Sequence, residues 1–444
     1  MGERPHIARI RRVLGARLTD FGARRSVGWN GVGPGSQSDA VLRRCARPCT
    51  VARFFAAVDS AVARYEDGGS AHATRPAAGQ TLPPMRKAVG GYYHSLAIST
   101  AGRLFSWGCG NFGGENDGQQ GFGDLVERTD PAPVDCRAWG ADAKVLDAAA
   151  GCYHSVVLAE PGAKDSGGAP KVYTWGLNNY GQLARAGLAP DPPRIPRDPT
   201  DDSYNDGVPA EVTMPPPPAG TAPQQVRGVG AAFYNTFVLL RSRGALCAGS
   251  NQAGQCGAAV GTHSGLRPIP ELATTQVAKL VGGYCHTLAL TEEGKVLTLG
   301  CGEDGQRGDG RPTSNEDWRG MSEVRTGGQP IKDVAAGANH SIAVSKDGQT
   351  LWGWGSNDLG QLGPALDENV TVPTPIAVEG VGRGGDTIVS VSAGYAHTAV
   401  LTAAGKVFTF GRGNNGQLGR GDAEDDAVPR EVHVPQGACP TGKL

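Results

Sequence analysis

No stretch of 18 or more apolar residues occurs in this 444-residue chain, which excludes a transmembrane helix. Net charge is nearly absent too, with 42 basic residues against 43 acidic ones. A chain so balanced has no global field to draw it toward nucleic acid or an anionic membrane. Its ten cysteines lack the paired spacing of a zinc site; Cys45 and Cys49 come closest, with no second pair nearby. Cys109, Cys152, Cys285 and Cys301 read as small buried residues in a reducing compartment, not as a disulfide framework. Signatures of chemistry are missing as well. There is no Gly-x-Ser-x-Gly elbow and no His-Glu-x-x-His. Gly294-Lys295 and Gly405-Lys406 lack the upstream glycine and the following Ser or Thr of a phosphate loop. The expectation is a non-enzyme with no cofactor and no metal.

What is plentiful is glycine and proline, 68 and 31 residues, a composition that suits turn-rich β-structure and opposes long helices. The glycines recur in a pattern. Gly-x-x-His-Ser/Thr followed by an apolar run appears at 91–98 (GYYHSLAI), 151–158, 283–290, 337–344 and 394–401. A degenerate copy at 232–239 places Asn235 where the others have histidine. Each copy is followed by a short turn and a second half-motif: LFSWG at 104–108, VYTWG at 172–176, LWGWG at 351–355 and VFTFG at 407–411, with weaker forms at 246–249 and 296–300. Most then end in a Gly-Gln-Leu-Gly-like turn, clearest at 360–363 and 416–419. Two apolar runs joined at Ala101-Gly102, Arg243-Gly244, Glu293-Gly294, Asp347-Gly348 and Ala404-Gly405 predict hairpins of half-buried strands. The repeat positions His94, His154, Asn235, His286, His340 and His397 lie 51 to 81 residues apart, a period that belongs to propeller blades.

These paired half-motifs resemble the regulator-of-chromosome-condensation repeat family, whose superfamily includes a bacterial beta-lactamase inhibitor protein. The resemblance covers residues 88–434 and implies an all-β, seven-bladed propeller. Six copies are legible, so Val27–Gly33, which echoes the second half-motif, supplies the missing strands, or a seventh blade is hidden in divergent sequence, or the ring has six blades. The resemblance also implies that His94, His154, His286, His340 and His397 are structural, hydrogen bonding between strands. Trp107, Trp175 and Trp354 hold the Trp-Gly place of the second half-motif and are read as structural with them. The plant ultraviolet-B photoreceptor shares this fold and carries tryptophan beside the motif histidine. Tyr92, Tyr93, Tyr153 and Tyr284 stand there instead, which argues against light sensing.

Three regions fall outside the repeat. Residues 1–87 form an N-terminal extension with two helical patterns, the second placing Phe54, Phe55, Val58 and Val62 on one face. That face packs on the propeller or binds a partner. A cytoplasmic or cytoskeletal protein is expected; the alternative is a mitochondrial one, since the first pattern, rich in arginine from residue 6 to 18, resembles a targeting segment. Residues 187–225 are a proline-rich insertion with Pro215 to Pro218 consecutive, either solvated or read by an SH3, WW or profilin-like module. Residues 435–444 are a tail.

The composite reading is a non-catalytic protein–protein interaction propeller, a scaffold or structural subunit of a larger assembly. The alternative is a guanine-nucleotide exchange factor for a small GTPase, as the founding family member is. That activity needs an acidic or wedge-like loop on one face, and the candidates are Glu303-Asp304 with Glu316-Asp317, or 422–426. Partners are therefore other proteins, with nucleic acid disfavoured. The Arg-Gly-Asp triplets at 307 and 420 belong to the repeat and are not read as adhesion motifs.

Overall fold

A computed structural model describes residues 83–432, apart from segments at 109–117, 125, 127, 141, 163–167, 186–206, 218–219, 221–223, 258–260, 312–319, 367 and 383. The two N-terminal helical patterns, Val27–Gly33 and most of the proline-rich insertion lie outside the described residues. The described chain forms six four-stranded antiparallel sheets. Blade 1 comprises β1 (Met85–Gly90), β2 (His94–Ser99), β3 (Leu104–Gly108) and β4 (Arg128–Pro133). Blade 2 is β5 (Lys144–Ala150), β6 (His154–Glu160), β7 (Lys171–Gly176) and β8 (Ala210–Glu211). Blade 3 is β9 (Val226–Ala232), β10 (Asn235–Leu240), β11 (Ala245–Gly249) and β12 (His263–Pro268). Blade 4 is β13 (Val277–Gly282), β14 (His286–Thr291), β15 (Val296–Gly300) and β16 (Ser322–Glu323). Blade 5 is β17 (Ile331–Ala336), β18 (His340–Ser345), β19 (Leu351–Ser356) and β20 (Asn369–Ile376). Blade 6 is β21 (Ile388–Ala393), β22 (His397–Thr402), β23 (Val407–Gly411) and β24 (Asp426–Glu431).

The expectation of seven blades is corrected to six. Ala399, Leu401, Val407 and Val432 of blade 6 pack with Ala88 and Trp107 of blade 1. The Tyr92 and Tyr395 rings meet across the same junction at 5.2 Å. Six units thus close on themselves. The inner strands β1, β5, β9, β13, β17 and β21 surround a central cavity of about 680 Å³.

The two half-motifs are the two middle strands of each blade. Their register places His94 opposite Gly108, His286 opposite Gly300 and His340 opposite Gly355. At the hairpin turns Gly294 and Gly405 take φ of +85° and +77°, a region other residues enter at a cost. Half-buried strands had been expected, yet β10, β14, β18 and β23 are buried along their whole length. Both faces of a blade are covered by its neighbours, so alternation fades as it does in any sheet covered on both sides. The outer strands β4, β20 and β24 contain Pro131, Pro373 and Pro429. Proline has no N–H to give, and an edge strand is where that costs least.

The motif glycine has a steric reason. A Cβ on Gly337 would lie 2.1 Å from His340 Cε1 and 2.5 Å from the Gly394 carbonyl oxygen of the next blade. Gly337→Ala is therefore expected to cost about 3 kcal/mol, read as a lower urea midpoint with unchanged slope. A loss below about 1 kcal/mol would show that the blades can part at little cost.

Candidate interaction face

Three of the five repeat histidines, His94, His286 and His340, bond across blades. His94 Nε2 lies 2.7 Å from Ser155 Oγ, His286 Nε2 3.0 Å from Ser341 Oγ and His340 Nε2 3.1 Å from Thr398 Oγ1. Each of these hydroxyls donates in turn to a carbonyl of the preceding blade: Ser155 to Gln119, Ser341 to Gln306 and Thr398 to Gln361, at 2.8, 2.9 and 2.8 Å. A hydroxyl that has given its proton away must accept from the imidazole, so Nε2 carries the hydrogen. Trp175 and Trp354 donate to the same carbonyls of Gln119 and Gln306, at 2.8 and 2.9 Å. Histidine, Ser/Thr, tryptophan and the glutamine of the Gly-Gln-Leu-Gly turn are thus parts of one joint.

Burial holds these imidazoles neutral. Desolvation pushes His94, His286 and His340 down to about 3, and His154 and His397 down to about 4. The Nδ1 atoms of His94, His286 and His340 are buried without a hydrogen-bond partner, so a second proton would have nowhere to go. Arg307 is structural too. It is 1% exposed and donates to the Gly300 and Gly320 carbonyls and Ser322 Oγ, with Asp309 as its ion-pair partner. At the inner strands Lys87 pairs with Asp147, and Lys279 with Asp333 at 2.7 Å, each joining adjacent blades.

The cysteine expectation needs correcting. Cys247 pairs with Cys256 and Cys285 with Cys301, at Cα separations of 5.6 and 5.5 Å, within the range a disulfide spans. Residues 9 and 16 apart in sequence are brought together only because hairpin register returns the chain beside itself. Cys152 is buried as expected and unbridged.

The residues preceding each motif histidine gather at one end of the cavity. Tyr92, Cys152, Phe233, Tyr284, Ala338 and Tyr395 occupy equivalent places in blades 1 to 6. The Tyr92 ring lies 5.4 Å from Phe233, whose ring is 5.6 Å from Tyr284 and 6.3 Å from Tyr395. Tyr93 stacks on Tyr153 at 5.0 Å, and Tyr234 meets Tyr180 at 4.7 Å. Tyr284 and Tyr395 are 50% and 40% exposed. Burial raises the Tyr92, Tyr153, Tyr234 and Tyr284 phenols above their ordinary value, so all remain neutral donors.

The loops leaving β15 and β23 emerge at this same end, because Gly300 and Gly411 pair with His286 and His397. Cys301 N–H donates to the Cys285 carbonyl at 2.9 Å, at the start of the loop that carries Glu303 and Asp304. Asp422, Glu424 and Asp425 are exposed in the blade 6 loop. Glu316-Asp317, Phe54, Phe55, Val58 and Val62 lie outside the described residues. Reading the sequence blade by blade missed the aromatic cluster as a unit. Its signal was the aromatic residue one or two places before the motif histidine in five of six copies.

A family model, the RCC1-like domain, matches residues 111–441, and the regulator of chromosome condensation (RCC1) repeat matches 86–113. The chain belongs to the RCC1-like family. Among its relatives is the ultraviolet-B receptor UVR8 of Arabidopsis thaliana, 26% identical over 357 residues, which cover 80% of this chain and 60% of the receptor. The human probable E3 ubiquitin-protein ligase HERC3 is 36% identical over 180 residues, 39% of this chain and 16% of that protein. The match thus spans little more than half the length of the first relative and a small part of the second. Among solved structures, yeast RCC1 (Prp20) bound to Kap60 aligns with a TM-score of 0.60 and 23% identity, covering 79% of this chain and 75% of that one. Human WBSCR16 aligns at 0.61 and 20%, covering 79% and 83%. These structural likenesses carry the RCC1-like fold.

Proposed function

We propose that this RCC1-like propeller is a non-catalytic scaffold or structural subunit that binds another protein through its aromatic face. The observation that carries the reading is the exposure of Tyr284 and Tyr395 within a cluster of rings. Tyrosine supplies large contact area with little side-chain entropy to lose, and is enriched where interfaces hold their binding energy. His94, His286 and His340 are engaged in joints between blades, which supports a non-catalytic reading. Protein binding also accords with the solved structure of yeast RCC1 held by Kap60.

The test is purification of the tagged full chain from cells under mild conditions, with cross-linking to locate the contact. Recovery in a stable complex cross-linked to the loops around Tyr284 and Tyr395 is the expected result. Recovery as a free monomer, or cross-links confined to the opposite end, would overturn it. A second reading, guanine-nucleotide exchange on a small GTPase, is supported by the acidic residues Glu303, Asp304 and 422–426 in the loops that leave β15 and β23. Accelerated nucleotide release across a panel of small GTPases would establish that reading in place of the purely structural one.

A further inference from the structure

The central cavity has an aromatic floor and a basic mouth. Where the inner strands finish, the Tyr92, Phe233 and Tyr395 rings line it and meet one another at 5.2 to 6.3 Å. Rings from blades 1, 3 and 6 meet only near the axis, so together they close that end. The other end, where the strands begin, is lined by Arg86, Lys87, Arg227, Lys279 and Lys332 and by a single carboxylate, Asp147.

Bulges place three of these cations. The pairing register of every inner strand skips one residue, and a bulge re-aims the side chain it carries. In blades 1, 3 and 5 the skipped residues are Arg86, Arg227 and Lys332; in blades 2, 4 and 6 they are Leu146, Ala278 and Val389. Positive charge thus alternates around the mouth, and part of it is neutralised. Lys87 pairs with Asp147, Lys279 with Asp333 and Arg227 with Glu292. Arg86 and Lys332 are exposed and make no ion pair among the described residues. Arg86 donates to the Val145 and Leu146 carbonyls at 2.6 and 2.8 Å, which leaves its charge uncompensated. The Asp347 carboxylate feels the Lys332 charge but is engaged by Ser345 Oγ and the Gln349 N–H. Between Arg86 and Lys332 stands blade 6, whose inner strand brings Val389 and Ser390, without charge.

Inside the mouth the walls are small, with Gly90, Ala149, Ala231, Ala336 and Ala393 among the lining residues. Each inner strand is hydrogen bonded to a neighbour on one side only, so backbone groups of its free edge face the cavity. An alkyl chain would bury those groups without partners, at a cost; hydroxyls would satisfy them. The volume of about 680 Å³ falls within the range of small-molecule pockets.

We propose that the cavity binds a phosphorylated polyol, a sugar phosphate or inositol phosphate in class, with its phosphate between Arg86 and Lys332 and its hydroxyls on the strand edges. Guanidinium and ammonium groups hold phosphate through charge-assisted hydrogen bonds. The mouth lies at the end opposite the exposed rings of Tyr284 and Tyr395, so this site is separate from the proposed protein contact.

Calorimetry on the full chain compares glucose phosphate, inositol monophosphate, inorganic phosphate, octyl phosphate and glucose. At least one polyol phosphate should bind about tenfold tighter than inorganic or octyl phosphate, and glucose should not bind. Lys332→Gln and Arg86→Gln should each weaken that binding about tenfold, while Lys332→Arg keeps the charge and should stay within about twofold. Gly90→Leu narrows the cavity, because a Cβ there would meet nothing within 4 Å. It should weaken the polyol phosphate about tenfold and leave inorganic phosphate within about twofold. Lys332 is exposed, so its variants report on binding even if Gly90→Leu fails to fold. No binding of either polyol phosphate would overturn the inference. So would inorganic or octyl phosphate binding as tightly as both of them, or affinity unchanged in Lys332→Gln and Arg86→Gln. Each of these failures leaves the scaffold reading standing.

Discussion

Acidification to about pH 5 is expected to unfold this propeller, although it carries no unusual net charge. His94, His154, His286 and His340 are 0–2% exposed, and burial holds them at about 3 or 4. In the unfolded chain the same groups titrate near 6.5. Between those values only the unfolded state takes up protons, so stability is fully present above about pH 6.5 and falls as the pH drops toward the folded values. Each group contributes about 1.4 kcal/mol per pH unit in that window, and four together about 5 kcal/mol. Domains are stable by about 5–15 kcal/mol, so one to two units below 6.5 suffice. Urea unfolding at successive pH values reads the slope directly. His340→Asn, which installs the residue that blade 3 already uses at Asn235, should lower that slope by about a quarter. A stability profile flat from pH 7 to pH 4.5 would contradict the burial of these imidazoles.

Trp354→Ala is expected to cost about 3–5 kcal/mol, and Trp175→Ala much the same. Both side chains are 0% exposed. Cavity creation dominates that figure, since the Gln306 carbonyl keeps the Ser341 hydroxyl at 2.9 Å when the indole is removed. Trp107 occupies the equivalent position in blade 1 but is only half-buried, as are Ser95 and Gln417 at the junction of blades 6 and 1. Elsewhere the matching residues Ser155, Thr236, Thr287, Ser341 and Thr398 are 0% exposed. Trp107→Ala should therefore cost about half as much, because part of the space it leaves opens to water. Urea midpoints of the three variants compare the joints. Equal losses at positions 107 and 354 would mean that the closing junction is packed as tightly as the rest.

Much of the propeller could be read along the chain because its repeat is local. Two apolar runs joined by a glycine turn sit within about 20 residues of each other, and hairpin geometry needs nothing from elsewhere. The inner and outer strands were harder to see. β8 and β16 are two residues long, and β1, β5 and β17 carry Lys87, Asp147 and Lys332 lining the cavity, which breaks their apolar pattern. The partners of His94 and His340 are invisible along the chain, since Ser155 and Thr398 lie in the next blade. Glu303 and Asp304 stand out along the chain as acidic loop residues, but nothing there indicates that their loop leaves β15 at the same end as the ring cluster.

The amino-acid sequence by itself determined the family and the hairpin units, since the paired half-motifs and the turns that join them lie within one blade. The tertiary structure alone decided the six-blade closure, the pairing of Cys285 with Cys301 and the convergence of Tyr92, Phe233, Tyr284 and Tyr395 on one face. Those features depend on how rigid units stack around an axis. The stacking is set by contacts between residues in different blades, 35 or more positions apart in the joints described, a separation over which periodicity along one strand carries no information.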